Sequence, residues 1–298
     1  MQETQDLMLE KKALSLLSSL LEKRQKFVKA HVAEYLIWTG HANLALEEFI
    51  KEEKLYSTEP KYRIVIWRVL AQAEKDSIRK QLWLDKIYNA YKDMNGLDRT
   101  HATETLAKLK QPVSNLFPEV TKKTLVSSDR NLQTYALWAS SIGSDIDINR
   151  IREKLLNLML TDSDTTIRKI SAFILRQLKG LDERQWERLV QVALSNRPVD
   201  EMYVTIPVTA LVTMPSGVND TKVSLIKDLL IRDVKKYSAN QRNELALALA
   251  EKGTRKDLKI LEYIMSSGIE GHDPDSDEVA DLRASAAYAI LKINSKKP

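Results

Sequence analysis

Apolar residues recur along most of the chain at the spacing of one helix face, and glycine or proline separates the apolar runs. In residues 150–160, for example, Ile151, Leu155 and Met159 fall on a single stripe. Only eight Gly and eight Pro interrupt 298 residues, and Ala, Leu, Lys, Glu and Arg, which favour helices, are abundant. These patterns predict an all-α protein.

A short motif returns along the chain: a basic or polar residue, here called the anchor, is followed four positions later by a small or apolar residue. Successive anchors are separated by 34, 36, 34, 35, 74 and 41 residues. The anchors are residues 29, 63, 99, 133, 168, 242 and 283. Because the widest interval is about twice the others, we expect a degenerate copy near residue 204, where the apolar run Tyr203–Leu211 contains Pro207.

Helix ends and starts recur in phase with the anchors. Glycines that follow an anchor by about one helix length predict helix ends in the left-handed conformation. They are Gly40, Gly143, Gly180 and Gly253, with Gly217 after the degenerate copy. The segments 162–164 (DSD) and 275–277 (DSD) supply capping side chains before two anchors. The repeating unit is therefore predicted to be a pair of antiparallel helices in about 35–40 residues. We expect about eight such pairs to stack in one domain that spans residues 1–298.

Two copies of the motif carry a family resemblance. Residues 161–175 (TDSDTTIRKISAFIL) and 275–291 (DSDEVADLRASAAYAIL) place Asp, then an apolar residue and Arg, then Ala and Leu at helical spacing. This pattern resembles the second helix of HEAT repeats, which implies an α-solenoid with an extended concave face. Tetratricopeptide repeats are the competing solenoid, but their regular period and their Tyr and Pro positions do not recur. The resemblance also implies a structural ladder between repeats, formed by Arg63, Arg99, Asp164, Arg168, Arg242 and Arg283.

The predicted solenoid leads to an expectation about removal of its last helix pair. Each helix pair buries its apolar faces only against its neighbours in sequence. We therefore expect a chain that lacks residues 255–298 to keep a folded, less stable array.

Few residues point to metal or cofactor chemistry. The chain has no Cys, which excludes disulfides and thiolate ligands. His31 with Glu34 and His101 with Glu104 share a three-residue spacing, but the pairs are two repeats apart, about 20 Å, whereas a dinuclear site needs metals about 4 Å apart. The acidic run 273–278 lacks the Gly and Glu that a calcium-binding loop requires. We predict no metal and no cofactor.

Charge gives a weak indication of the partner. The net charge is +5, and residues 61–125 alone carry a surplus of six basic residues. Acidic residues are mixed into this segment, so the pattern permits nucleic-acid binding without favouring it. The apolar stretches are much shorter than the roughly 20 residues of a membrane-spanning helix.

Aromatic residues late in the second helices are candidates for a binding surface, because solenoids present that part of the helix on the concave face. Tyr35 with Trp38 and Tyr135 with Trp138 occupy this place. Core packing is the alternative for both Trp residues, and also for Trp67, which lies four positions after the anchor at 63. The candidate binding residues are Tyr35, Trp38, Trp67, Arg68, Tyr135, Trp138 and Arg176.

The sequence favours a non-catalytic scaffold that binds a protein or peptide. A first alternative is nucleic-acid binding, including base excision, because one group of DNA alkylation repair glycosylases is built from HEAT-like repeats. A second is an accessory subunit of an enzyme, as in the HEAT-like lyases that attach bilins to light-harvesting proteins. Compartment and oligomeric state stay open: Met1 as the native start implies the cytoplasm, and a removed signal implies a location outside it.

Overall fold

The structure, a computed structural model, describes residues 2–143, 146–195, 202–218, 220–266 and 273–296. These residues form seventeen α-helices and two short 3-10 turns, and they contain no β-strand. The helices are α1 (Gln2–Lys23), α2 (Lys26–Trp38), α3 (Ala42–Tyr56), α4 (Tyr62–Ala73), α5 (Ser77–Lys92), α6 (Arg99–Lys108), α7 (Val113–Leu116), α8 (Pro118–Leu125), α9 (Arg130–Ser140), α10 (Ile148–Thr161), α11 (Thr165–Leu178), α12 (Glu183–Ala193), α13 (Thr205–Thr213), α14 (Asp220–Arg232), α15 (Ala239–Lys252), α16 (Leu258–Ser266) and α17 (Asp277–Ser295).

The all-α prediction is confirmed for the described residues. A helix, α13, also occupies the position of the degenerate copy, and all nine of its residues are buried. Pro207 lies in its first turn, where the fixed φ of proline is compatible with a helix. No helix in the described part of the chain is long and apolar enough to cross a membrane.

The predicted helix starts at two anchors are confirmed by their caps. Asp164 is the N-cap of α11 and its carboxylate accepts a hydrogen bond from the backbone N–H of Thr166 (2.8 Å). Ser276 is the N-cap of α17 and its hydroxyl accepts from the backbone N–H of Val279 (3.3 Å). Each side chain satisfies a helix donor that otherwise has no intrahelical partner.

The contacts divide the chain into two compact units. Unit 1 contains residues Met1–Lys80 and Leu229–Pro298, and unit 2 contains residues Gln81–Asp228. Both termini of the chain therefore belong to the same unit.

In unit 1, the helices that contain the anchors pack side by side in the order α15, α17, α2 and α4. The preceding helices of three pairs cover this layer, because α1 packs on α2, α3 on α4 and α16 on α17. The core lies between the two layers and includes Leu36, Phe49, Leu70 and Ile290, none of which is exposed.

The last helix of the chain packs against the first helices. Helix α17 contacts both α1 and α2, in addition to its sequence neighbours α15 and α16. Arg24 pairs with the carboxylates of Asp275 (3.7 Å) and Asp277 (3.6 Å), and Nδ2 of Asn294 donates to the carbonyl of Asp6 (3.3 Å). An array in which each repeat contacts only its neighbours in sequence does not contain these contacts, so the structure differs from that expectation in unit 1.

Unit 2 repeats the same two-layer packing. The helices α6, α9, α11 and α13 lie side by side, and α8, α10 and α12 cover α9, α11 and α13. Trp186 of α12 is fully buried and its Nε1 donates to the carbonyl oxygen of Ala210 in α13 (2.8 Å), which fixes the two helices to each other.

The anchor arginines join the two helices of a pair. Arg168 Nε donates to the carbonyl oxygen of Met159 near the end of α10 (2.9 Å), and Arg283 Nε donates to that of Met265 near the end of α16 (3.1 Å). The carbonyl of Met159 lies in the last turn of α10, where carbonyl groups have no intrahelical partner, so the bond from Arg168 satisfies it. The carboxylate of Asp164 pairs with Arg130, the first residue of α9 (3.9 Å).

Hydrogen bonds or ring contacts also involve the other ladder residues, Arg242, Arg99 and Arg63. Arg242 Nη2 donates to the carbonyl oxygen of Lys235 (2.9 Å), and Arg99 Nη2 donates to the hydroxyl of Thr124 (2.6 Å). The guanidinium of Arg63 lies over the ring of Trp67, 5.8 Å from its centroid. Arg99, Arg168, Arg242 and Arg283 thus bond to another helix or to the preceding segment, whereas Arg63 contacts a ring of its own helix.

Four of the five helix-ending glycines have the positive φ predicted for them, with φ of 92° at Gly40. The exception is Gly253, whose φ of −76° and ψ of 161° are extended. A different constraint applies there, because a Cβ on Gly253 would lie 2.3 Å from the carbonyl oxygen of Leu249 and 2.8 Å from Cδ1 of Ile293. Close approach of the backbone, and not a left-handed turn, requires glycine at this position.

Replacing Lys110 with glycine is expected to raise the free energy of unfolding by about 0.5–1 kcal/mol. Lys110 and Gly40 occupy the same position, eleven residues after an anchor, and both have positive φ (54° and 92°). Each closes the same helix-ending motif, in which the next N–H bonds back to a carbonyl five residues earlier: Gln111 to Leu106 (2.9 Å) and His41 to Leu36 (2.8 Å). Lysine is strained in this conformation and glycine is not.

Chemical denaturation of Lys110→Gly and Gly40→Ala measures the effect in both directions. A Cβ at Gly40 would meet nothing within 4 Å, so the loss of about 1 kcal/mol expected for Gly40→Ala comes from the backbone alone. A Lys110→Gly variant less stable than the wild type would contradict the assignment.

Candidate functional site

The second helices of unit 1 carry a connected group of polar and aromatic side chains, here called the aromatic–acidic face. Hydrogen bonds or ring contacts link most of its members across the four neighbouring helices α15, α17, α2 and α4. Its residues are His31, Glu34, Tyr35, Trp38, Arg68, Gln72, Asn243, Glu244, Glu251, Asp281, Tyr288 and Lys292.

Three aromatic rings form the centre of the face. Tyr35 of α2 stacks on Tyr288 of α17, with ring centroids 4.8 Å apart and planes 13° from parallel. Trp38 meets Tyr288 edge to face at 5.7 Å and 61°. Tyr35 is buried, whereas Trp38 is 46% exposed. The rings of Trp38 and Tyr288 therefore form a corner, and Tyr35 supports it from below.

A chain of hydrogen bonds holds Trp38 in place. Its Nε1 donates to Oε1 of Gln72 (3.0 Å), and Nε2 of Gln72 donates to Oε1 of Glu34 (2.7 Å). Arg68 holds Glu34 by two bonds, from Nε to Oε1 (2.8 Å) and from Nη2 to Oε2 (3.1 Å). The side chains of Arg68 and Glu34 are each only 4% exposed, so a buried, two-pronged ion pair fixes an exposed tryptophan.

A second group of polar residues includes His31, which lies about one helix turn before Tyr35 on α2. Nδ2 of Asn243 on α15 donates to Oδ2 of Asp281 on α17 (2.9 Å), and Nδ1 of His31 on α2 lies 2.9 Å from Oδ1 of the same carboxylate. The carboxylate of Asp281 thus joins three helices. Oδ1 of Asn243 is buried and has no hydrogen-bond partner.

Burial, together with nearby carboxylates, raises the pKa of both tyrosines of the face. Burial, and to a smaller extent the charge of Glu251, raise the pKa of Tyr288 to about 12. Burial, followed by the charges of Asp281 and Glu34, raises the pKa of Tyr35. Low polarity and nearby negative charge both disfavour the ionised form of tyrosine, so both raise its pKa. Each tyrosine is therefore a neutral hydrogen-bonding group at physiological pH.

The structure brings three of the seven candidate binding residues together on this face: Tyr35, Trp38 and Arg68. The other residue of unit 1, Trp67, is buried, and its Nε1 donates to Oε1 of Glu53 on α3 (3.4 Å). It packs between helices of one pair, as the core alternative predicts for it.

The remaining three candidates lie in unit 2. Trp138 is 4% exposed and meets Phe173 edge to face at 5.6 Å. Nη1 of Arg176 donates to the hydroxyl of Thr209 (3.4 Å), and Tyr135 is half-buried. Core packing therefore accounts for Trp138, although it has the same sequence context as Trp38.

Several residues of the face were not among the candidates, although the anchors could have located them. Counting five residues forward from an anchor reaches Glu34, Arg68 and Tyr288, and counting nine reaches Trp38, Gln72 and Glu251. These positions lie on one side of a helix. Comparing them across repeats would have paired Glu34 with Arg68. Nothing in the spacing, however, indicates that α17 lies beside α2.

His31 and Glu34 do not combine into a metal site. His31 bonds to Asp281, and Glu34 bonds to Arg68. Across the described ranges, no group of three or more His, Asp or Glu side chains is arranged to hold a metal ion. His272 lies outside the described residues.

Comparison of the chain with protein-family models, with curated proteins and with solved structures gave no match in any of the three cases.

Proposed function

We propose that this chain is a binding protein that holds a protein partner against the aromatic–acidic face of unit 1. The binding is non-catalytic and depends on shape and on charge. The partner inserts an extended or helical segment along the layer formed by α15, α17, α2 and α4.

The observation that supports this proposal best is that Trp38 is exposed and yet fixed. Its exposed fraction is 46%, and a hydrogen bond to Gln72 and contact with Tyr288 restrain the ring. A restrained aromatic side chain loses little conformational entropy when a partner covers it, and exposed Trp is enriched among residues that dominate binding energies. The buried Arg68–Glu34 pair beneath it maintains this arrangement before any partner binds.

We further propose that the helix pairs form HEAT-like repeats. The anchor arginines at 168 and 283 both bond to carbonyls near the end of the preceding helix, as expected of equivalent positions in a repeat. The second helices pack side by side within each unit, which places equivalent residues of neighbouring repeats next to one another.

Trp38→Ala is expected to reduce the amount of captured partner at least tenfold, since central aromatic anchors contribute about 2 kcal/mol or more to binding. The measurement is affinity capture on the immobilised full chain from an extract of the source cells, with quantification of retained proteins by mass spectrometry. Leu55→Ala is the matched control, because Leu55 is an apolar residue of α3 that is 70% exposed and lies outside the face.

Nuclease treatment and salt distinguish the alternatives. A protein that is retained after nuclease treatment, lost with Trp38→Ala and kept with Leu55→Ala supports the proposal. Retention of nucleic acid that weakens steeply with salt would instead favour nucleic-acid binding. Equal capture by the wild type and Trp38→Ala would exclude the aromatic–acidic face as the binding surface.

A further inference from the structure

We propose that unit 1 carries a second docking surface, in the groove between α1 and α16, and that its occupant is an acidic, amphipathic helix of a protein partner. The groove, here called the basic groove, lies in the layer of helices that covers the second helices. Its described lining residues are all distinct from those of the aromatic–acidic face. This inference therefore goes beyond the proposed function and does not depend on it.

The basic groove has the length of a short helix. Both α1 and α16 pack on α17, and the groove runs between these two covering helices. The stretch of α1 that lines it extends from Asp6 to Ser19, about 20 Å at 1.5 Å per residue. The wider part encloses about 850 Å³ and the narrower part about 410 Å³, and the two parts meet at Lys12. A partner helix of about thirteen residues matches this length.

Two ion pairs connect α1 and α16 along the groove. Nη1 of Arg255 lies 3.7 Å from Oδ2 of Asp6, and Nζ of Lys12 lies 4.0 Å from Oε1 of Glu262. The order of these pairs shows that the two helices run in the same direction. Because the side chains of Arg255 and Lys12 are 53% and 59% exposed, water screens both pairs, and a carboxylate of a partner can compete for these cations.

Two exposed lysines add positive charge to the wider part of the groove. Lys256 lies in the short 3-10 turn before α16, and Lys259 lies in the first turn of α16. Within the described residues, neither lysine pairs with a carboxylate. Asp257, which lies between them in sequence, is buried and accepts hydrogen bonds from Thr254. Both ammonium groups are therefore available to a partner.

A further cation lies in the narrower part of the groove. Nε of Arg283 donates to the backbone carbonyl of Met265 (3.1 Å), a neutral group that does not balance its charge. The two carboxylates of the lining are both in the ion pairs with α1 or α16, which leaves three cations without an acidic partner: Lys256, Lys259 and Arg283. These cations are spread along the groove, so they match a ligand with several acidic groups better than a compact anion.

The remaining lining favours a peptide over a nucleic acid. Met8 is 68% exposed, and Leu9 and Leu258 lie beneath it as an apolar, almost buried floor. A strand of phosphates would gain little from these apolar groups and would be repelled by the two carboxylates of the lining. An amphipathic helix can place an apolar side chain on Met8 and acidic side chains toward the two lysines, as in other helix-in-groove complexes.

Selection from a peptide library tests the inference. Phage that display random fifteen-residue peptides are selected on the immobilised full chain, and clones are sorted by whether they also bind the double variant Lys256→Glu/Lys259→Glu. We expect the clones that lose binding to be enriched in Asp and Glu and to carry apolar residues three or four positions apart. The double variant should weaken the corresponding synthetic peptides at least tenfold.

The matched control for charge is Arg79→Glu/Lys80→Glu. Both residues are exposed in the first turn of α5, outside the groove, and the double substitution changes the net charge by the same amount. It should change the affinity of the selected peptides less than about twofold, because exposed charges more than about 10 Å away are screened at physiological salt. Thermal unfolding of each variant separates a loss of binding from a loss of folding.

A pair of apolar variants tests the helix-in-groove arrangement. Met8→Ala should weaken a selected acidic peptide about fivefold, because the peptide buries this side chain. Leu7→Ala is the matched control: Leu7 is 54% exposed on the same helix but does not line the groove, so the affinity should stay unchanged.

Three results would overturn the inference. The first is a library that yields no clone sensitive to Lys256→Glu/Lys259→Glu, and the second is a set of sensitive clones that are basic or neutral. The third is binding of a labelled twelve-nucleotide oligothymidylate that this double variant weakens while no acidic peptide binds, which would assign the groove to nucleic acid. Because each result concerns only the basic groove, the proposed function is tested separately by the capture experiment with Trp38→Ala.

Discussion

Deleting residues 255–298 is expected to unfold the remainder of unit 1, and not only to remove its last helix pair. Helix α17 lies between α15 and α2 and also packs on α1, so its removal uncovers three helices. Its large buried residues are Val279, Leu282, Ile290, Leu291 and Ile293. At about 1.5–3 kcal/mol for each, their burial contributes roughly 10 kcal/mol, comparable with the whole stability of a typical domain.

Hydrogen–deuterium exchange of the truncated chain is the decisive measurement. Amides of α1 and α2 should lose protection, although the deletion begins more than 200 residues after them. In a linear array these helices would keep their protection, because the deleted repeat would contact only its neighbours. Unchanged protection of α1 and α2 would therefore restore the linear array and contradict the packing of α17.

A milder pair of variants covers the case in which the truncated chain aggregates. Leu282→Ala, at a fully buried position of α17, is expected to destabilise unit 1 by about 2–5 kcal/mol. Leu225→Ala, at a position of α14 that is 50% exposed, should change stability by less than about 0.5 kcal/mol. Similar unfolding midpoints for the two variants would show that α17 is not part of the unit 1 core.

Arg68→Met is expected to lower the free energy of unfolding by about 3–4 kcal/mol. The substitution leaves the carboxylate of Glu34 buried at 4% exposure without the two bonds that Arg68 donates to it. A buried charge that loses its partner is costly because water cannot replace the interaction. Gln72 still donates one bond to Glu34, so part of the network should survive.

A double variant tests whether the cost comes from the unpaired charge. Glu34→Gln combined with Arg68→Met removes both charges and should recover more than half of the lost stability. Arg130→Met is the control for a less buried ion pair: Arg130 is 49% exposed and bonds to Asp162 (2.5 Å), whose side chain is 10% exposed, so water reaches the pair and its loss should cost less, about 1 kcal/mol. If Arg68→Met and Arg130→Met had equal effects in urea denaturation, burial of the Arg68–Glu34 pair would be refuted.

The two stability predictions and the binding proposal concern the same four helices. Arg68 and Glu34 hold Gln72 and Trp38, and α17 supplies Tyr288 and Asp281. Loss of either support should therefore also weaken binding at Trp38. Because Arg68→Met acts through the orientation of Trp38, its effect on binding should disappear in a Trp38→Ala background.

Helices, their ends and their repeat were predictable because they depend on local interactions. The 3.6-residue period, the capping residues Asp164 and Ser276 and the regular anchors all act within one or two helix turns. The degenerate copy near residue 204 was predictable for the same reason, since Pro207 is compatible with a first helical turn. Gly253 departs from the predicted left-handed turn, and the spacing of apolar and polar residues does not indicate the close approach of Leu249 and Ile293 that requires glycine there.

Which helices become neighbours, and which aromatic rings stay exposed, followed only from the tertiary packing. Tyr35 with Trp38 and Tyr135 with Trp138 have the same spacing, yet Trp38 is 46% exposed and Trp138 is 4% exposed. The difference arises because Phe173 of a neighbouring helix covers Trp138, whereas α17 places Tyr288 beside Trp38 and leaves one side of the indole uncovered. Apolar burial is non-directional, so periodicity marks which side of a helix is buried but does not specify the partner that buries it.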